Sequence, residues 1–138
     1  MEEVVTRRRA TGESAWRDDL RRGLQSGDRR QIARIPKTDL HCHGLLSAPL
    51  ATYEALLGYR LPSPPTLFGN FQGFADYIAT HLLATMSGPA PVRAIVRAAL
   101  DRMVADGVVY AEMSFDLLVP EFIGMQVEAF GELLNEEM

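Results

Sequence analysis

The chain has 138 residues, of which 47% are hydrophobic, so it is long enough for one ordinary domain with a packed core. Its single cysteine, Cys42, excludes an intrachain disulfide, and no stretch reaches the roughly 18 apolar residues of a membrane span. The N-terminus lacks the apolar segment of a signal peptide. We therefore expect a cytoplasmic protein with no membrane partner.

The formal net charge of −4 is unevenly distributed along the chain. Residues 1–37 hold ten basic and six acidic side chains, whereas residues 38–138 hold four basic and twelve acidic ones. The triplet Arg7–Arg9 could contact nucleic acid, but acidic residues flank it and no aromatic side chain is interleaved for base stacking. No nucleic-acid partner is therefore expected.

Residues 1–34 are predicted to form an Arg-rich N-terminal lead with short helices. An amphipathic helix is predicted over Glu13–Leu24, and a second short helix follows, with Ser26 or Asp28 as its N-cap. Pro36 then ends helical structure, because it lacks a backbone N–H and disfavours helical geometry at the preceding residue.

Residues 35–138 alternate between strand and helix patterns. Helices are predicted over Pro49–Leu57, Phe71–Met86, Val92–Val104 and about Phe122–Glu137, with short strands at Thr38–Gly44 and Val108–Phe115. This alternation is typical of parallel strands joined by crossover helices, which predicts an α/β fold. A sheet of only two strands would leave both edges exposed, so we expect the opening part of a larger fold.

Two of the three histidines lie one residue apart at the end of the first predicted strand. Because side chains alternate along a strand, Asp39, His41 and His43 share one face, while Cys42 lies on the other. Two imidazoles on adjacent positions of one face can bind one metal ion, with Zn–N distances of about 2.0–2.1 Å. The pattern is equally compatible with ordinary polar residues at a strand end, and both interpretations stay open at this point.

The second predicted strand adds a carboxylate. Glu112 lies on its more polar face, where it could support a metal ligand or form a structural hydrogen bond to a neighbouring strand; the structural role is favoured. His81 is a lone helical histidine and is interpreted as a structural or surface residue, outside the set of metal ligands. Asp116, at the exit of the second predicted strand, could reach a site, although a role as a cap at the start of a loop is favoured.

Two segments together resemble a known family. PKTDLHCH at Pro36–His43 and DGVVYAEMSFD at Asp106–Asp116 resemble the first and second strands of the adenosine deaminase family, within the amidohydrolase superfamily. FQGFADYI at Phe71–Ile78 lies where that family has a helical segment lining the nucleoside pocket. The resemblance covers most of residues 35–138 and implies the N-terminal part of a (β/α)8 TIM-type barrel, incomplete in this sequence.

The resemblance also implies a zinc-dependent hydrolase. It implies one zinc ion per complete site, with His41 and His43 as two of the ligands. A zinc-bound water would attack C6 of a purine and release ammonia. The implied partner is a small purine nucleoside or base. Phe74 would match an apolar residue of the substrate pocket, or it would serve only in the core.

The sequence departs from the family in two respects. The run Gly44-Leu45-Leu46 replaces Leu-Asp-Gly, so Leu45 stands where the family has the aspartate that contacts ribose. A different purine or a modified nucleoside is therefore expected. The remaining ligands and catalytic residues of the family lie beyond the second strand, and no histidine follows His81. We therefore expect no catalytic residue within this sequence, no activity from it alone, and self-association through exposed barrel edges.

Two other functions remain open. Phosphoesterases of the polymerase-and-histidinol-phosphatase type also begin with a strand similar to DLHCH, but they require further His and Asp ligands. A non-catalytic interaction module would use the Arg-rich segment or an uncovered strand edge. The zinc deaminases that act on flipped bases are excluded, because the sequence has neither His-x-Glu nor Cys-x-x-Cys.

Overall fold

The structure is a computed structural model that describes residues 15–138, so the triplet Arg7–Arg9 lies outside the described residues. Helices α1 (residues 15–26) and α2 (Arg29–Ala33) precede strand β1 (Lys37–His43). Helices α3 (Leu50–Leu57), α4 (Phe71–Tyr77) and α5 (Pro89–Ala105) lead to strand β2 (Val108–Ser114), which is followed by α6 (Val119–Phe122) and α7 (Val127–Glu137). Within this part of the chain, no helix combines the length and apolar character needed to cross a membrane.

Strands β1 and β2 form a parallel pair. At one end, the backbone N–H of Lys37 donates to the carbonyl oxygen of Gly107 at 2.9 Å. At the other end, the N–H of Gly44 donates to the carbonyl oxygen of Ser114 at 3.0 Å. Both strands span seven residues. In both bonds the donor and acceptor residues are separated by the same number of positions in the sequence, so the two strands keep one register from end to end. A parallel pair with intervening helices fits the predicted α/β class; its place in a barrel stays a prediction.

The chain divides into two compact units. One consists of the chain up to Leu40 together with Met103–Ala111, and the other consists of His41–Arg102 with Glu112–Met138. Helix α5 and both strands contribute residues to each unit. The predicted domain division after residue 34 stays a prediction.

In the first unit, local polar contacts define the end of α2 and the start of β1. Of the two candidate N-caps, Asp28 is the one used, because its carboxylate accepts from the N–H groups of Arg30 and Gln31 at 3.0 and 3.1 Å. Gly107 adopts a φ of +77°, and a Cβ there would overlap the carbonyl oxygen of Ala33. Glycine is therefore required both for the left-handed turn before β2 and for this close approach.

The core of the second unit is built around α5. Its predicted apolar stripe is confirmed, since Val92, Ile95, Val96 and Ala99 are fully buried. The other buried members of this core are Leu45, Ala48, Tyr53, Leu61, Leu82, Met86, Ile123, Phe130 and Leu133. Val104, predicted on the same stripe, is 73% exposed and belongs to the first unit.

The helix predicted over Phe71–Met86 is interrupted. Helix α4 ends at Tyr77 and continues as a π turn at Ile78–Leu82 and a 3-10 turn at Leu83–Thr85. A π turn spaces its hydrogen bonds five residues apart, which changes the direction in which later side chains point. The apolar residues of this segment keep a regular helical spacing in the sequence, so the spacing did not predict the change from α-helix to π turn.

The predicted start of the last helix, at about Phe122, was also wrong. Helix α7 begins at Val127, and Val119–Phe122 forms the separate short helix α6. Pro120 lies in the first turn of α6, where its missing N–H costs no hydrogen bond, so it starts this helix and does not separate it from the strand. The chain leaves helical geometry at Ile123 and Gly124 before α7 begins.

Helices α5 and α7 are joined by an ion-pair cluster. The side chain of Glu137 is only 3% exposed, and its Oε1 accepts a hydrogen bond from Nη1 of Arg93 at 2.7 Å. Nη2 of Arg97 lies 2.5 Å from Oε2 of the same carboxylate, and Arg93 also pairs with Glu136 at 2.8 Å. The hydrogen bond from Arg93 holds the pKa of Glu137 below its ordinary value; Arg97 acts in the same direction, and burial opposes it.

We predict that Glu137→Gln lowers stability in a pH-dependent way. A carboxyl whose pKa is depressed by folding contributes stability above its unfolded pKa, about 4.3, and loses that contribution as the pH falls through its folded pKa. The difference in free energy of unfolding between wild type and variant should be largest at pH 7 and shrink at about pH 3. Urea unfolding at both pH values measures it.

Glu132→Gln on the exposed side of α7 is the matched control, and it should leave stability nearly unchanged at both pH values. A difference for Glu137→Gln that is equally large at pH 7 and pH 3 would contradict the ion-pair explanation.

Candidate metal and substrate site

The two neighbouring histidines lie at the carboxyl end of β1. His41 and His43 are both exposed, while Cys42 between them is 4% exposed, as strand alternation requires. The centroids of the two imidazole rings are 5.1 Å apart, with an angle of 86° between the ring planes. The thiol of Cys42 lies 2.9 Å from the hydroxyl of Ser47, on the buried side of the strand. The structure thus places the two imidazoles together and the thiol apart from them.

The spacing of the imidazoles fits two ligands of one zinc ion. In tetrahedral coordination with Zn–N distances of about 2.0–2.1 Å, two imidazole ring centres are about 5 Å apart. The observed 5.1 Å agrees with this separation. Within residues 15–138, however, no group of three or more His, Cys, Asp or Glu side chains could hold a metal ion. His41 and His43 alone are one ligand short of the minimum for a zinc site with three protein ligands.

Gly44 lets β1 end in close contact with β2. Gly44 is buried, and a Cβ at this position would overlap the ring of Phe115. That ring packs edge-on against Phe130, with ring centroids 5.9 Å apart. The absence of a side chain at Gly44 therefore allows the residue directly after His43 to pack on an aromatic pair of the core.

His43 lines a cleft of about 250 Å³, called here the histidine cleft. Its other polar lining groups come from Ser114 and Asp116, and most of its remaining walls are apolar, including Leu45 and Ile78. The carboxylate of Asp116 accepts a hydrogen bond from the N–H of Leu118 at 2.9 Å, which confirms the predicted capping role. No Lys or Arg is among the described residues that line this cleft.

Phe74 lies in a different cleft, of about 310 Å³, called here the aromatic cleft. Its ring packs edge-on against Phe68 at a centroid distance of 5.5 Å, and Tyr77 lines the same cleft. Both clefts are lined by Leu46 and Ile78, so these two aliphatic side chains stand between them. The structure therefore does not bring Phe74 into the cleft that His43 lines.

Two features of this region could not be anticipated from sequence spacing. Phe68 comes from the proline-rich loop, which carries no periodic signal. Ile78 begins the π turn, a conformation that is frequent at functional sites and leaves no reliable mark in a single sequence. His81, in the same turn, packs its ring 4.8 Å from that of Tyr77 and does not line the histidine cleft.

The chain matches no protein-family model, and it has no significant match among curated proteins or solved structures.

We predict that Gly44→Ala destabilises the chain by about 1–3 kcal/mol, because the new methyl group must displace the packed ring of Phe115. Gly69→Ala is the control, since a Cβ there has no neighbour within 4 Å and should change stability by less than about 0.5 kcal/mol. Free energies of unfolding in urea measure both. Equal effects of the two substitutions would show that the contact with Phe115 does not constrain the end of β1.

Proposed function

We propose that the chain is the N-terminal part of a zinc-dependent hydrolase of the adenosine deaminase type, with His41 and His43 as two of its metal ligands. The observation that carries this proposal is the pair of exposed imidazoles, 5.1 Å apart at the carboxyl end of a parallel strand. That end of the strands is where α/β folds place their active sites. The two segments with the resemblance are also the two strands that pair, which supports the same proposal.

Each residue has a distinct role under this proposal. His41 and His43 would hold the metal ion, which when bound would act as a Lewis acid and lower the pKa of a bound water. His43 also lines the histidine cleft, so a molecule held in that cleft lies beside the metal ligand. Leu45 and Ile78 provide apolar walls that exclude water from a flat heterocycle.

The histidine cleft favours an uncharged substrate over a phosphate ester. Asp116 is the only charged side chain among its described lining residues apart from the titratable His43, and a carboxylate repels phosphate. Residues 38–138 also carry eight more acidic than basic side chains. These charges favour the deaminase over the phosphoesterase alternative.

The identity of residue 45 bears on which purine is bound. Leu45 is 6% exposed and lines the histidine cleft, where the resemblance places an aspartate that contacts ribose. Without that carboxylate, an aminopurine base or a nucleoside modified on its sugar is favoured over adenosine.

We predict that Co²⁺, used as a paramagnetic substitute for zinc, broadens the ring signals of His41 and His43 in NMR spectra of the chain. The chain contains three histidines, so each signal can be assigned by single substitution. Two neighbouring imidazoles on one face of the strand should bind one ion together, and His41→Ala should weaken binding at least about tenfold because one of two metal bonds is lost. The His81 signal should change much less.

His81→Ala is the matched control and should leave Co²⁺ affinity unchanged. Equal broadening of all three histidines, or unchanged affinity in His41→Ala, would contradict a shared metal site. No deamination is expected from this chain alone, since two ligands leave the site incomplete.

We also propose that this chain on its own self-associates through the exposed strands. In the first unit, Leu40 on β1 is 63% exposed and Val109 on β2 is 71% exposed. Strand alternation and the parallel register place both side chains on one face. In the complete enzyme, further strands and helices of the barrel would cover such a surface.

Val109→Lys should weaken self-association at least about tenfold, because it places a charge in a contact that would otherwise bury apolar area. Leu67→Lys is the control, since Leu67 is 84% exposed but lies in a loop. Sedimentation velocity over a concentration series measures both. A wild-type chain that remains monomeric at all concentrations would overturn this part of the proposal.

A further inference from the structure

We infer that Glu112 is a positioning residue for His41: its carboxylate accepts a hydrogen bond from the ring nitrogen of His41 that does not face the metal. The inference rests on the proposed function for the metal itself. It assigns to Glu112 the task of fixing the tautomer and the ring orientation of one ligand.

The strand register carries the inference. The N–H of Gly44 donates to the carbonyl oxygen of Ser114, and β1 ends at His43 while β2 ends at Ser114. In a parallel ladder this bond makes His43 and Ser114 cross-strand neighbours. Counting back two residues on each strand makes His41 and Glu112 the next pair on the same face. Neighbouring strands lie about 4.8 Å apart, a gap that a glutamate side chain can span to reach an imidazole.

The chemistry of the two side chains supports a hydrogen bond between them. An imidazole that binds a metal through one nitrogen carries its proton on the other, and a carboxylate is a common acceptor for that proton. Both side chains are exposed on the same polar face, so neither must be removed from water before they meet. A glutamate in the middle of a β-strand also runs against strand propensity, which is expected where a residue serves a site.

His43 has a different cross-strand neighbour. The hydroxyl of Ser114 donates its proton to the carbonyl oxygen of Cys42 at 3.1 Å, so it is engaged in holding the strands together. Of the two histidines, only His41 therefore has a carboxylate, that of Glu112, as its cross-strand neighbour. This asymmetry distinguishes the inference from a general acidic environment around both histidines.

The test is the tautomer of His41 in the metal-free full chain, read from ring ¹⁵N chemical shifts at about pH 8.5, where imidazoles are ordinarily neutral. Wild-type His41 should show one dominant tautomer, and Glu112→Ala should give a mixture. Glu112→Gln keeps an acceptor oxygen and should retain the dominant tautomer. The tautomer of His43 should not change in either variant.

The affinity of the chain for Zn²⁺ and Co²⁺ is a second, independent test of the role of Glu112. Glu112→Ala should weaken binding about tenfold to a hundredfold, with Glu112→Gln between it and wild type. Glu132→Ala removes the same charge from an exposed position of α7 and should have no such effect. Asp39→Ala tests the other carboxylate on the histidine face of β1.

The outcomes separate this inference from the proposed function. If Co²⁺ binds His41 and His43 together but Glu112→Ala leaves the His41 tautomer unchanged, the inference is wrong and the metal site stands. The inference is also wrong if Asp39→Ala, and not Glu112→Ala, produces the tautomer mixture. If the tautomer depends on Glu112 but no metal binds, the pair exists and the proposed metal role of His41 fails.

Discussion

The parallel pairing of β1 with β2 is the constraint on which the candidate site depends. Its last hydrogen bond, from Gly44 to Ser114, fixes both strands at the end where His43 lies. It orders the polar side chains His41, His43 and Glu112 on one face. The opposite face carries Cys42, which is buried, so both faces of the strand are specified by one register. A shift of one residue would exchange the imidazoles with the thiol.

The same end of the sheet also forms the cleft. Because Gly44 has no side chain, the ring of Phe115 packs against the backbone just after the second histidine. Phe115 and Ser114, at the end of β2, then join Leu45 and His43 in lining the histidine cleft. The candidate metal ligands and the candidate binding surface thus lie at the same strand ends. Parallel α/β folds commonly bind their ligands at the carboxyl ends of the strands.

Sequence reasoning succeeded where one local rule dominates. The stripe on α5 follows from helical periodicity, and the cap at Asp28 follows from the chemistry of the first helical turn. The sequence-based predictions failed where tertiary packing, and not local sequence, determines whether a helix continues or is interrupted. The π turn at Ile78–Leu82 and the separate helix α6 both interrupt spacing that reads as continuous helix. The proximity of the imidazoles followed from strand alternation, whereas the separation of Phe74 from His43 required the path of the loop and of the π turn.

A purely structural role explains the histidine face poorly. A strand selected for stability alone would favour β-branched or aromatic residues. In β1, His41 and His43 occupy alternate positions of one face, and their cross-strand neighbours Glu112 and Ser114 are also polar. In the barrel proposed above, such a face would lose hydrophobic stabilisation unless its polar groups bound something that compensates for their desolvation. Under the proposed function, a metal ion held by two imidazoles would supply that compensation, and the 5.1 Å spacing of the rings is compatible with it.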